Sequence, residues 1–522
     1  MFSNPLNRKA TYWAGALILL AVFVTFFHNS IPDVVLAEDE ADYVYAANKG
    51  FFGNYLDRKT LPFTTFLKMG LSRGTQKDSK TDLSKFIRSS DDISVYRHWH
   101  GPLYFYYLSL GRWIFGDSDF RVRMYSLLFQ FFCALAVFSG CMLLLRRTCS
   151  FSVSLLTALC LLGSVSLYVS TMILSTHGAL TFTCILCLFF LIKAVQTGAE
   201  GYFFLSAAFL ALTFLSNEYA AAMMVTWVIC ALFVKYRLGK NNFKLLRVIR
   251  TSFLIWIGVI FVMWPASIIK LSLLKSYITQ AYFMIYRGSA FSPMPIWKYW
   301  MTRFEHLPVD MSIAFSGLLL GSFLLVRKRK YMLFPIITYM VLILATTLRN
   351  QCLNPTYTVT FIAAGTIALG ISVSFLLEKK RFLQILTLAT LCVIQFSFLK
   401  LTFLPEFINA PSPKTQMVRY IEKEKPQRIL AVRFSMPIIR HYYPSVTVDT
   451  FTPEIYGSKE SLADISNALS EGKSYNGLIF HGKNLEPVIE LVSNRYDYDS
   501  VQFESWKEEE KWVYFRLKPK DI

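Results

Sequence analysis

Long apolar runs separated by short polar turns fill the first three quarters of the chain. Runs of roughly 17–25 residues, the length that crosses ~30 Å of hydrocarbon as a helix, recur near 11–28, 123–145, 151–173, 178–195, 202–216, 219–235, 251–272, 310–326, 331–348, 356–377 and 382–404. They predict about eleven membrane-spanning helices. From residue 405 onward the apolar content falls and charged residues become frequent. Helix-like stretches at 414–424, 459–471 and 484–494 there alternate with strand-like ones at Arg428–Arg433, Val446–Asp449, Gly477–Phe480, Asp499–Glu504 and Trp512–Leu517. That alternation predicts a small α/β layer, and no glycine-rich phosphate loop occurs within it. The expected fold is therefore a polytopic α-helical membrane protein over 1–404, followed by a soluble α/β domain over 405–522.

Two connections exceed what a simple helix-to-helix turn needs, 29–122 and 273–309, and long connections of this kind are usually functional. The first opens on four acids, Glu38-Asp39-Glu40-Ala-Asp42, and closes on the aromatic run from Arg97 to Gly116, read as an amphipathic helix lying at the bilayer interface. The second carries Trp297-Lys298-Tyr299-Trp300 and Arg303-Phe-Glu305-His306. With the N-terminus on the cytoplasmic side, these connections, the tip at Ser175-Thr176-His177 and the segment Arg349 to Tyr357 all fall on the outer face. A single outward-facing site is expected.

Composition agrees with the membrane class: 54% of residues are hydrophobic and 17% charged, against about 25% charged in ordinary soluble proteins. The net charge of +20 would suit nucleic acid, but its placement decides otherwise. Arg8-Lys9, Arg146-Arg147, Lys235 to Arg250, Arg327-Lys-Arg-Lys330 and Lys379-Lys-Arg381 lie between alternate spans, the positive-inside pattern. No nucleic-acid partner is expected. An odd number of spans then puts residues 405–522 outside the cytosol, in an integral plasma (inner) membrane protein. The apolar core from Tyr12 to Phe27 is too long for a secretory leader. The cysteines sit mainly in apolar spans, so no disulfide framework is expected, and Cys184-Ile-Leu-Cys187 reads as two small apolar residues.

Three local patterns carry a family resemblance. Asp39-Glu40-Ala-Asp42-Tyr43 resembles a DE-x-x-Y motif in a first outer loop. His100-Gly101-Pro102-Leu-Tyr104 resembles H-P-P-L-Y, with glycine where the family often has proline or lysine. Phe115-Gly116 with Arg123-Met-Tyr-Ser126 resembles the F-G and R-x-x-S run opening a second span. Together with the span pattern they resemble the GT-C superfamily of polyprenyl- or dolichyl-phosphate-sugar-dependent glycosyltransferases, of the protein O-mannosyltransferase and aminoarabinose (lipid A) transferase type. His177 stands where relatives often carry Asp.

The resemblance implies a sugar moved from a polyprenyl-phosphate carrier to a protein, lipid or glycan acceptor, with inversion, and Asp39 as the base by its place in the motif. Glu40 would orient Asp39 or the acceptor. Phosphate is a good leaving group, so one base suffices, with cations to stabilise the departing charge. Arg349, Arg303, Arg58, Lys59 and Arg97, with Tyr357 as a hydroxyl donor, are the candidates, since Arg offers a bidentate fork. His100, His306 and Glu305 are candidate ligands for a divalent ion. Asp117-Ser-Asp119 has DxD spacing but falls in a short turn between apolar helices and is set aside. The rival reading is a transporter or lipid flippase, whose ionisable groups and broken helices gather near the bilayer midplane. These spans are nearly free of ionisable residues, which favours an enzyme.

Overall fold

The computed structural model describes residues 5–32, 34–48, 100–145, 150–217, 219–237, 239, 243–269, 295–347, 358–410, 412–451, 458–504 and 511–519. Among the described residues, each of the eleven apolar segments contains helix. Among the described residues, eight helices are long and apolar enough to cross a membrane, and the bent pair Phe151–Leu162 and Val165–Met172 adds a ninth candidate. Glu200–Ser216 and Tyr331–Thr346 are shorter apolar helices.

The helices differ in what they face. Val359–Leu376 is buried along nearly its whole length and forms the centre of the bundle. Leu245–Met263 buries Val248, Ser252 and Ile260 and turns Phe253, Leu254 and Val262 outward, the distribution expected of a helix against lipid. Val359–Leu376 and Pro308–Arg327 approach closely: a Cβ on Gly317 would stand 2.0 Å from the Gly365 carbonyl oxygen. Small residues at such a crossing let the backbones meet.

The segment expected as a single span over 151–173 is two helices, bent by 58° at Gly163-Ser164. The break is held from both sides. The Ser164 hydroxyl caps the second helix by accepting from the Leu167 amide at 3.2 Å. The buried Asp310 carboxylate accepts from the Ser166 amide (2.8 Å), the Ser164 hydroxyl (3.0 Å) and Gln395. Gln130 donates to the carbonyl of Leu162, the last residue of the first helix, at 2.7 Å. A helix end inside a bundle leaves orphan amides and carbonyls, and these side chains satisfy them.

Residues 413–519 hold a five-stranded mixed sheet in the order β2-β1-β3-β5-β4, from β1 (Arg428–Val432), β2 (Thr447–Phe451), β3 (Gly477–Gly482), β4 (Tyr496–Phe503) and β5 (Lys511–Pro519). β1 pairs in parallel with β2 and β3, while β5 runs antiparallel to β3 and β4. Ile429-Leu-Ala-Val432 is apolar throughout because a central parallel strand is covered on both faces, and all four residues are buried. Edge strand β4 exposes Asp497, Asp499 and Ser500. The five strands and three helices expected from 405 onward are present. The helices Leu404–Asn409 and Met436–Tyr442 were not foreseen.

Candidate active site

The acidic run forms a helix, Glu38–Asn48. Its start is fixed by Glu40, three residues beyond Ala37, whose carboxylate reaches back to accept from the Ala37 amide at 2.6 Å. This is one half of a capping box. Glu40 is buried at 3% exposure and its two oxygens take three further donors: Arg123 Nη2 at 2.9 Å, Arg123 Nε at 3.3 Å and the Leu174 amide at 3.1 Å. Arg123 completes the joint by donating to the carbonyls of Val34 and, at 3.1 Å, Val35. One buried ion pair thus ties the acidic helix to the Asp119–Leu144 helix and to the turn before Thr176–Thr197.

Four protein donors thus occupy the two Glu40 oxygens. Asp39 differs: its side chain is exposed. Spacing of i, i+3 and i+4 puts Asp39, Asp42 and Tyr43 on one helix face. Asp42 and Tyr43 are buried there, and the Tyr43 ring meets those of His100 (6.1 Å), Tyr104 (6.1 Å) and Phe105 (5.5 Å) between centroids. Tyr104 in turn shares a 2.8 Å hydrogen bond with Ser126. The second and third motifs therefore pack against the first.

The glycine of the second motif has a steric reason. A Cβ on Gly101 would stand 2.2 Å from the Leu215 carbonyl oxygen, backbone that cannot swing away as a side chain can. Pro102 caps the following helix, Leu103–Phe115, which buries Tyr104, Phe105, Leu108 and Gly111 and exposes Leu110, Trp113, Ile114 and Phe115, as expected of an interfacial helix. Gly101→Ala is expected to destabilise the protein by about 1–3 kcal/mol, the usual cost of overpacking, read as a lowered thermal midpoint in detergent. An unchanged midpoint would contradict the close approach.

The second side of the site comes from the sheet region. The Tyr442 hydroxyl accepts from the Leu36 amide at 2.8 Å and donates to Asp119. His441 Nε2 lies 3.8 Å from the other Asp119 oxygen, the Arg440 guanidinium lies over the Tyr45 ring at 5.6 Å, and Thr415 accepts from the Val35 amide at 3.2 Å. Burial and the Asp119 carboxylate hold the Tyr442 hydroxyl well above the usual phenol range, so it stays protonated as a donor. A cavity of about 390 Å³ opens beside this seam, lined by Val34, Asp119, Phe120, Arg123, Val418 and Arg419 among others.

Of the other expected residues, His177 is buried beside Tyr219, three residues beyond Leu174. Arg303 is buried with its guanidinium over Tyr299 and its Nε 3.3 Å from the Tyr299 hydroxyl. Glu305 and His306 are exposed at the end of the same helix. Among the described residues no three His, Cys, Asp or Glu side chains gather as a metal-binding group. Arg349, Tyr357, Arg58, Lys59 and Arg97 lie outside the described residues. Asp117 pairs with Arg112 at 2.9 Å and Asp119 with Tyr442, so both acids of the DxD spacing have protein partners. The Cys184 and Cys187 thiols are free and buried.

Sequence reasoning gave no role to Arg123, Asp119 or Tyr442. A signal existed for Arg123, since an arginine inside an apolar helix requires a buried partner. None existed for Tyr442, one of two adjacent tyrosines before a proline.

Residues 99–264 match a family model described as dolichyl-phosphate-mannose-protein mannosyltransferase. No curated protein sequence matches the chain. Among solved structures, the chain is similar to ArnT from Cupriavidus metallidurans in the apo state, at a TM-score of 0.60 and 11% identity over 97% of this chain and 98% of that one. It is similar to the same protein bound to undecaprenyl phosphate, at a TM-score of 0.59 and 10% identity over 97% and 98%. A third is the oligosaccharyltransferase AglB from Archaeoglobus fulgidus in complex with an inhibitory peptide and a dolichol-phosphate, at a TM-score of 0.58 and 11% identity over 99% of this chain and 75% of that one.

Proposed function

We propose that this chain, an integral-membrane glycosyltransferase with the GT-C fold, moves a sugar from a polyprenyl-phosphate carrier to an acceptor on the extracytoplasmic face, with inversion and with Asp39 as the single base. The carriers seen with ArnT and AglB support the donor class. The observation that carries the reading is the contrast between neighbouring acids: Glu40 is buried and occupied by four protein donors, whereas Asp39 presents an exposed carboxylate.

In this reading the acceptor hydroxyl or amine gives its proton to Asp39 as its heteroatom bonds to the anomeric carbon. The bond from that carbon to the phosphate oxygen breaks, and the phosphate leaves with the electron pair. Glu40 and Arg123 hold the helix that aims Asp39. The departing charge falls to Arg303 and to Arg349, Tyr357, Arg58, Lys59 and Arg97 as candidate partners.

Sidedness follows from charge. Alternating helix directions put the acidic helix, Leu174, Leu215 and Trp264 at one end of the bundle. The basic turns at Lys235–Arg237 and Arg327–Lys330 fall at the other. By the positive-inside bias that end and the N-terminus are cytoplasmic, and the site and sheet are outside.

The test incubates purified protein with undecaprenyl phosphate carrying radiolabelled sugars and with surface glycans, glycolipids or peptides as acceptors. A new glycosidic product identified by mass spectrometry is expected. Movement of the carrier across vesicles without any glycosidic product would support the transporter and overturn the transferase.

A further inference from the structure

The sheet region grips the acidic helix, the segment that leads into it and the start of the Asp119–Leu144 helix. Four contacts do this, and three come from consecutive residues of the Met436–Tyr442 helix: Arg440 over Tyr45, His441 beside Asp119, and Tyr442 between Asp119 and the Leu36 amide. The fourth is Thr415 on the Val35 amide. Val35 also packs against the apolar core of the sheet region. Leu36 precedes Asp39 by three residues, and Asp119 lies one helical turn before Arg123, which holds Glu40.

We infer that Tyr442 is a positioning residue for transfer, its hydroxyl bridging the Leu36 amide to the Asp119 carboxylate and so fixing where the helix start presents Asp39. The inference rests on Asp39 being the base. It makes the sheet region part of the catalytic framework, with the Met436–Tyr442 helix as its contact. The hydroxyl is well suited to this: it accepts from a backbone amide while donating to a carboxylate, so one group sets the distance between two elements. Tyr442→Phe keeps the ring packing and removes that bridge. A shift of about 1 Å in a reacting group costs on the order of 10²-fold in rate, without changing the donor's binding contacts.

The test uses the full-length protein in detergent or nanodiscs. Tyr442→Phe is expected to lower kcat by about tenfold to a hundredfold with the KM for an undecaprenyl-phosphate sugar unchanged, and to speed hydrogen exchange in the peptide spanning 34–44. Thr415→Val removes a neighbouring contact and is expected to give the same pattern more weakly. The wild-type kcat in Tyr442→Phe, alongside an inactive Asp39→Asn, would overturn the inference and leave the base in place. If the wild-type protein transfers none of the undecaprenyl-phosphate sugars supplied, the transferase reading falls, and the exchange arm decides the grip: faster exchange at 34–44 in Tyr442→Phe upholds it, and unchanged exchange overturns it.

Discussion

Asp39→Asn is expected to reduce sugar transfer by about 10²- to 10⁴-fold, the range a positioned general base supplies, while the protein expresses and unfolds much as the wild type does. The two halves of this expectation have separate causes. The amide is nearly isosteric but cannot take the acceptor's proton, so the loss falls on kcat and leaves the donor KM near its starting value. Folding is spared because Asp39 is exposed and its charge near the helix start contributes only about 0.3–1 kcal/mol. Glu40→Gln makes the contrast: it weakens a joint of four hydrogen bonds and lowers stability and rate together. Transfer at the wild-type rate by Asp39→Asn would remove Asp39 from the chemistry and with it the proposed mechanism.

What was legible in the sequence divides by range. A span is a local property, so the apolar runs and the alternating pattern of the sheet region could be read directly, with most boundaries within a few residues and the 251–272 run displaced furthest, onto Leu245–Met263. The break at Gly163-Ser164 was not read: a Gly-Ser pair permits a kink, but the acid that stabilises it, Asp310, is 146 residues away in the chain. The acidic cluster was found, and the motif set Asp39 as base apart from Glu40, yet the partner that holds Glu40 was not legible. It was Arg123, 83 residues on, that claimed Glu40. The short Met436–Tyr442 helix escaped for a related reason: seven residues with Pro437 near the start and Pro444 just beyond carry too little periodicity to announce a helix.

The second large effect concerns that pair. The side chains of Arg123 and Glu40 are 3% and 4% exposed at a 2.9 Å separation. A buried pair of this kind adds little over a well-packed apolar replacement, but removing one partner strands the other charge at a cost of about 3–5 kcal/mol. Arg123→Met is therefore expected to lower the thermal midpoint sharply and to abolish transfer, since the acidic helix loses its tie to Asp119–Leu144. Replacing both, Arg123→Met with Glu40→Leu, is expected to recover much of the stability because no charge is left unpaired. Recovery should be incomplete, because the Val34 and Val35 carbonyls and the Ala37 and Leu174 amides still lose their partners. Activity should not return with stability: the apolar pair restores packing but not the four directed bonds that set the helix start one residue from Asp39. A double-mutant cycle on the midpoint measures the coupling directly. Additive losses would mean that the two side chains do not meet, and that the acidic helix is held by something other than this joint.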